Sequence, residues 1–371
     1  MPTQRQFRRT SPITYVFAIT LFIGLVYLIF SGDDTSPLPT KQVMGRQGTA
    51  TSDRSPPSLP FRKSNSKGPI VPPPVVHYRM NNATQSTDPL KNRETVLILT
   101  PLAKFYQEYW ENLLKLSYPH DLISLGFIIP KGKDGNAATA ALQAQVAKTQ
   151  AGPQKKRFAS ITILRQDTES PVSQVETERH KMENQKARRA AMAKARNSLL
   201  FTTLGPSTSW VLWLDADIIE TPPDLIQDLA RHDKPIIVPN CFQRHFDKDL
   251  GTWEVRPYDY NNWVDSEVAQ EMGSKMANYD ILLEGYAEMP TYRTLMAKLN
   301  DESQSKDMVM QLDGVGGTAL LVKADVHRDG AMFPPFAFYH LIETEGFAKM
   351  AARLGWKSWG LPNYFVYHYD E

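Results

Sequence analysis

Apolar residues come in short blocks along this chain, and from Glu94 onward the blocks alternate between two rhythms. Thr95–Thr100, Leu122–Ile129, Ile161–Leu164 and Ile236–Val238 are compact apolar runs, the pattern of strands buried on both faces. Between them lie segments with helical spacing. Tyr106–Leu116 sets Tyr106, Tyr109, Trp110, Leu113 and Leu114 along one face, and Ala137–Ala151 is an Ala/Gln run. Glu176–Leu200 contains neither Gly nor Pro and predicts a long helix. One of its flanks holds Arg179, Met182, Lys186, Arg189, Ala193 and Arg196, while another holds Met192, Ala195 and Leu199, which should pack on a sheet. Pro223–Ala230 and Gly346–Leu354 predict further helices, and Ala319–Val322 and Tyr364–Tyr367 further strands. Strands alternating with helices predict an α/β fold built on a mostly parallel, doubly wound sheet.

The chain is organised around Trp210–Leu214, an apolar strand that runs into Asp215 and Asp217. Side chains alternate along a strand, so both carboxylates should leave it on the same side. The carboxyl end of a buried strand is where open α/β sheets bind ligands. Two unpaired carboxylates there repel each other, and a hard divalent cation relieves that repulsion. A lone Asp-x-Asp is usually one turn cap and one solvated side chain; the strand-end context favours the cation site. A phosphohydrolase of the Asp-x-Asp-x-Thr type would carry Thr or Val where Ile219 stands.

Composition changes this picture mainly at the N-terminus. Ile13–Phe30 is an uncharged run of eighteen mostly apolar and aromatic residues, long enough to span a bilayer, with Arg5, Arg8 and Arg9 before it and Asp33 and Asp34 after it. The positive-inside rule keeps residues 1–12 cytosolic and sends the rest across, as a type II anchor at 13–30. Residues 31–92 are rich in Pro, Ser, Thr, Gly, Gln and Asn and read as a stem, with the sequon Asn82-Ala83-Thr84 inside. Residues 93–371 are left for one large α/β domain. Net charge is only +2, which calls for no nucleic-acid partner, and one cysteine, Cys241, permits no internal disulfide.

Other candidates follow from position. Arg196 and Asn197 end the basic flank shortly before the Asp strand, and a planar guanidinium there suits diphosphate oxygens. Pro101, closing the first strand, joins Arg196, Asn197 and Asp215 as a candidate nucleotide contact. Residues 243–265 mix Phe246, Trp253, Tyr258, Tyr260 and Trp263 with Arg, Asp and Asn without clear period, as a sugar-binding surface or a core edge would. Gly314-Val315-Gly316-Gly317-Thr318 allows close backbone approach or a sharp turn, without the Lys-Ser/Thr of a P-loop.

The segments Arg188–Asn197, Leu214–Pro222, Glu284–Glu288, Leu312–Thr318 and Ile342–Phe347, in this order, resemble the fungal Golgi mannosyltransferases of the mannan-polymerase complexes, the Anp, Van and Mnn proteins. The resemblance covers Glu94 to the C-terminus and is strongest to the subunit shared by both complexes. It implies a GT-A fold, a single Rossmann-like domain, with GDP-mannose as donor and Mn2+ as cofactor. It implies retention of configuration and an α-1,6-linked mannose added to the N-glycan outer chain. It further implies partner mannosyltransferase subunits and a lumenal domain at the Golgi membrane. Carried onto this sequence, it makes Asp217, Asp215 and His368 the metal ligands. Glu345 and Glu343 become the candidate catalytic carboxylates, with Asp313 and Glu284 also open. His340 is the rival to His368. A non-catalytic scaffold that organises partner transferases is the alternative function.

Overall fold

The computed structural model describes residues 75–80, 84–166, 181–248, 251–301 and 303–370. The expected membrane span 13–30, most of the stem, Asn82 and the opening residues Glu176–His180 of the long helix lie outside these. Among the described residues no helix is long and apolar enough to cross a membrane. They belong to a compact unit, Pro74–Glu371.

The elements run in chain order as follows. Strand β1 (Thr95–Pro101), helix α1 (Gln107–Lys115), β2 (Ile123–Pro130), α2 (Lys133–Ala151), β3 (Ser160–Gln166), α3 (Met182–Thr203) and β4 (Thr208–Leu214) build the first half. Next come β5 (Ile218–Glu220), α4 (Leu225–Ala230), the hairpin β6 (Ile236–Asp247) and β7 (Thr252–Pro257), β8 (Trp263–Val264), α5 (Glu267–Lys275) and β9 (Thr294–Leu295). The last are β10 (Met310–Leu312), β11 (Ala319–Lys323), α6 (Ala324–Arg328), α7 (Glu343–Arg353) and β12 (Ser358–His368).

The main sheet has the order β10-β12-β6-β11-β4-β1-β2-β3, with β5 on β12 and β7 on β6. β1, β2, β3 and β4 are parallel, as are β6 and β12, while β10 and β11 run against their neighbours. The sheet is therefore mixed and mostly parallel. Period-two alternation sorts its side chains into two cores. Val96, Ile98, Trp210, Leu212 and Leu214 pack with α1, α2 and α4 on one face. Leu97, Leu99, Val211 and Trp213 pack with α3, α6 and α7 on the other. β4 is buried along its whole length. Burial on both faces explains why its sequence is continuously apolar.

Two differences from the sequence reading bear on function. Residues 243–265 are not aperiodic: β6 continues to Asp247 and folds back through β7. The aromatic residues there divide, with Trp253 69% exposed and Trp263 fully buried. The closing strand is also much longer than Tyr364–Tyr367. It runs parallel to β6 with a shift in register between Leu361 and Phe365, and its end pairs antiparallel with β5 through Tyr367–Glu220 and His368–Ile218.

Candidate active site

β4 leads away from the β1–β2–β3 half of the sheet on one side and the β11–β6–β12 half on the other, so its carboxyl end opens at the reversal of strand order. Asp215 and Asp217 both face a cavity of about 600 Å3 there. They do so from a turn rather than by strand alternation. Asp215 N donates to the Thr318 carbonyl (3.0 Å), Ile218 N donates back to the Asp215 carbonyl (3.1 Å), and Ala216 turns into the core.

The β5–β12 pairing brings the chain end to this turn. Tyr369 N donates to the Asp217 carbonyl at 2.8 Å, and His368 Nε2 lies 3.1 Å from Asp217 Oδ2. The imidazole is buried and stacked on the Tyr258 ring, centroids 3.6 Å apart and planes 17° from parallel. Its Nδ1 is 2.6 Å from the Tyr369 carbonyl oxygen. A carbonyl can only accept, so Nδ1 carries the proton and Nε2 is the nitrogen offered to Asp217. A carboxylate oxygen and an imidazole nitrogen at this spacing match adjacent positions on an octahedral ion with bonds of about 2.1 Å. Asp215 lines the same cavity, but among the described residues no three His, Cys, Asp or Glu side chains form a metal-binding group.

Asp215 is taken by Arg196, whose Nη2 donates to both carboxylate oxygens at 2.9 and 3.2 Å. Arg196 Nε donates to Glu343 Oε1 at 3.1 Å, while Nη1, also buried, has no hydrogen-bond partner among the described residues. The guanidinium also lies over the buried rings of Trp213 and Phe333, at 5.5 and 5.7 Å from their centroids. Burial pushes the Asp215 carboxyl up to about 7 in spite of Arg196, and Asp217 and Glu343 add to the rise. Glu343 itself is held at φ 54°, a left-handed conformation that a residue with a Cβ adopts only at some cost.

The basic flank of α3 therefore divides. Lys186 is exposed beside Tyr279, whereas Arg189 and Arg196 are buried and, with Arg188 and Arg256, line the cleft. Arg189 donates Nη1 to Glu345 Oε2 (2.5 Å) and Nη2 to Asn261 Oδ1 (3.2 Å). Glu345 is fully buried, its other oxygen accepting from Trp263 Nε1 at 2.8 Å, and burial raises its pKa against the pull of Arg189 and Arg293.

The remaining candidates separate clearly. Glu343 and Glu284 line the cleft; Glu345 and Asp313 do not. Asp313 is exposed and accepts from Asp265 N at 2.9 Å. Asn197 is tied to the Phe333 backbone in both directions, at 2.7 and 3.0 Å, and so braces a loop. Pro101 ends β1 outside the cavity lining, and His340 lines a different concavity. Asp259, which the sequence reading passed over inside the aromatic stretch, lines the cleft with Oδ2 on Thr318 Oγ1 at 2.9 Å. The glycines make room for side chains of this chain. A Cβ at Gly314, Gly316 or Gly317 would collide with Trp263, Asp259 or Arg196 respectively.

Comparison with known proteins finds relatives over most of the chain. A family model described as Anp1 matches residues 74–337. "Mannan polymerase complex subunit mnn9" of Schizosaccharomyces pombe is 58% identical over 294 residues, covering 79% of this chain and 86% of that protein. "Mannan polymerase complex subunit MNN9" of Candida albicans is 48% identical over 366 residues, covering 98% and 97%. Among solved structures, a mannosyltransferase from Pyrobaculum calidifontis in complex with GDP-Man and Mn2+ matches with a TM-score of 0.38 at 14% identity. That match covers 74% of this chain and 56% of the solved one, so the chain spans little more than half its length.

Glu345→Ala tests how the cleft is braced. It would leave Arg189 buried without its counter-charge, a loss on the order of 3–5 kcal/mol in unfolding free energy. Chemical denaturation of the full-length protein in detergent should show that loss. Parent-like stability combined with lost turnover would instead make Glu345 a reacting group.

Proposed function

This chain belongs to the Anp1 family, and from that membership and the geometry of the cleft we propose that it is a metal-dependent glycosyltransferase of the GT-A type. In this reading it moves mannose from GDP-mannose, with retention of configuration, onto the α-1,6-linked mannan backbone of N-glycans. The observation that carries the reading is the Asp217–His368 pair at 3.1 Å beside the buried Arg196–Asp215 pair, both on the wall of one cleft. A cavity of about 600 Å3 is within the range of small-molecule sites, roughly 300–1,000 Å3.

The residues divide the work. Arg188, Arg189, Arg196 and Arg256 put positive charge around the space that a diphosphate would take. Asp217 and His368 would hold a Mn2+ ion, with Asp215 turned to that ion or to the donor ribose. When bound, such an ion supplies Lewis-acid neutralisation of the charge on the departing diphosphate. Tyr258, stacked on His368, keeps the ring edge-on to Asp217. Glu343 is the carboxylate proposed to stabilise positive charge at the anomeric carbon or to orient the acceptor hydroxyl. Glu345 is proposed to act only through Arg189.

The names of the relatives, subunits of mannan polymerase complexes, support assembly with other mannosyltransferase subunits. The arginine-flanked uncharged run at 13–30 supports a Golgi membrane anchor with the catalytic domain lumenal.

Asp217→Ala in the full-length protein should abolish Mn2+-dependent GDP binding and reduce mannose transfer to an α-1,6-mannobiose acceptor by a factor of about 100 or more. Its thermal unfolding should stay close to the parent's. Turnover at the parent's rate would make the Asp pair structural, and a parent that binds GDP without transferring mannose would be a scaffold. Protease treatment of sealed microsomes should leave the C-terminal domain intact, and its digestion without detergent would exclude the type II orientation.

A further inference from the structure

A second concavity, of about 300 Å3, shares a wall with the cleft. Arg293, which lines it, donates Nη1 to Glu284 on the cleft side (2.8 Å) and Nε to Asp265 on its own side (2.9 Å). The other part of the wall is one short segment, with Tyr339, His340 and Leu341 facing this concavity and Glu343 and Thr344 facing the cleft. Helix α5 contributes Gln270, Gly273 and Ser274.

The wall of this space is held in a fixed conformation. Tyr339 and His340 are consecutive residues in the left-handed region, at φ 52° and 61°, a conformation that carries strain and concentrates at functional sites. The segment is held in it by Leu282 N, which donates to the His340 carbonyl at 2.8 Å, and by mutual backbone bonds between Phe338 and Leu341 at 2.8 and 3.0 Å. Gly273 lies inside α5, where glycine is disfavoured, and a Cβ there would press on the His340 ring at 3.3 Å. Glycine at that helix position lets α5 pack directly against the ring.

The lining also has a definite chemistry. Tyr339 is 55% exposed, with Lys349 and Arg353 of α7 over its ring at 5.6 and 5.7 Å. His340 Nδ1 donates to the Asp280 carbonyl (3.1 Å), which leaves Nε2 as its acceptor. Gln270 adds an amide, Ser274 a hydroxyl and Asp265 a carboxylate. The charged groups of the lining are the Asp265 carboxylate, Arg293, which is shared between Asp265 and Glu284, and Lys349. An aromatic ring among amide, hydroxyl, imidazole, carboxylate and ammonium groups suits a polyhydroxylated guest that both donates and accepts hydrogen bonds. The volume stands at the lower end of ligand sites, too small for a sugar nucleotide and ample for a single ring.

We propose that this concavity is a second saccharide site, binding a neutral hexose unit of an acceptor or product glycan across the wall from the transfer cleft. The choice of glycan rests on the glycosyltransferase reading of that cleft; the concavity itself does not. Binding of α-1,6-mannobiose and of Mn2+ with GDP to the full-length protein in detergent tests the two separately. Tyr339→Ala and Gln270→Ala should each weaken mannobiose binding at least about tenfold and leave Mn2+-dependent GDP binding at the parent's level. Asp217→Ala should do the reverse. The trimmed Gln270 keeps the test valid if Tyr339→Ala does not fold. The proposal is overturned if the parent binds no mannobiose, if neither substitution weakens it, or if inorganic phosphate displaces it. Mannobiose binding that depends on Tyr339 in a protein that binds no GDP would support the second site while refuting the donor cleft.

Discussion

The guanidinium of Arg196, 2% exposed and shared between Asp215 and Glu343, is the interaction on which the cleft depends. Burying such a cation costs several kcal/mol unless carboxylates meet it, so the three side chains must arrive together. They come from three places: the last turns of α3, the turn after β4 and the start of α7. Gly317 is required because a Cβ there would meet the guanidinium, and Glu343 accepts a left-handed backbone to reach it. Together these constraints hold the Arg196 guanidinium in one place beside the cleft. An anion-binding group held in place beforehand needs little reorganisation when its ligand arrives.

A second pairing completes the site from the far end of the chain. β5 has only three residues and gains its stability from β12, which in turn lies along β6. The consequence is positional: His368 is delivered to Asp217, and the stacked Tyr258 and the Tyr369 carbonyl fix which nitrogen it presents. The catalytic candidates at Asp215, Asp217 and His368 thus depend on strand pairing across the whole sheet rather than on local sequence.

Much of this was legible in the sequence because burial on both faces writes itself as continuous apolar runs. β1, β2 and β4 are of that kind, and their neighbours α1 and α3 show clear helical spacing. The hairpin after Val238 was not legible. There β6 continues through Pro239 and carries Asn240 and Gln243, polar side chains that look like loop but are buried on the carbonyls of Met296, Pro362 and Tyr369. The motif order indicated Glu345 as a reacting carboxylate, while its partners Arg189 and Trp263 stand 156 and 82 residues away along the chain. No local pattern reports such an encounter. The spaced glycines carried the same ambiguity: they suggest close approach of a ligand, and what approaches is the ring of Trp263 and the side chains of Asp259 and Arg196.

The function proposed for the cleft requires the nitrogen of His368 and the carboxylate of Asp217 to serve one metal ion together with a nucleotide diphosphate. Pulsed electron paramagnetic resonance of the full-length protein loaded with Mn2+ and GDP reads those contacts directly. The expected spectrum carries a nitrogen coupling from imidazole and a phosphorus coupling from diphosphate. In His368→Gln the nitrogen coupling should vanish while the phosphorus coupling remains. A nitrogen coupling that survives this substitution, or Mn2+ that shows only water and phosphate, would contradict the site described.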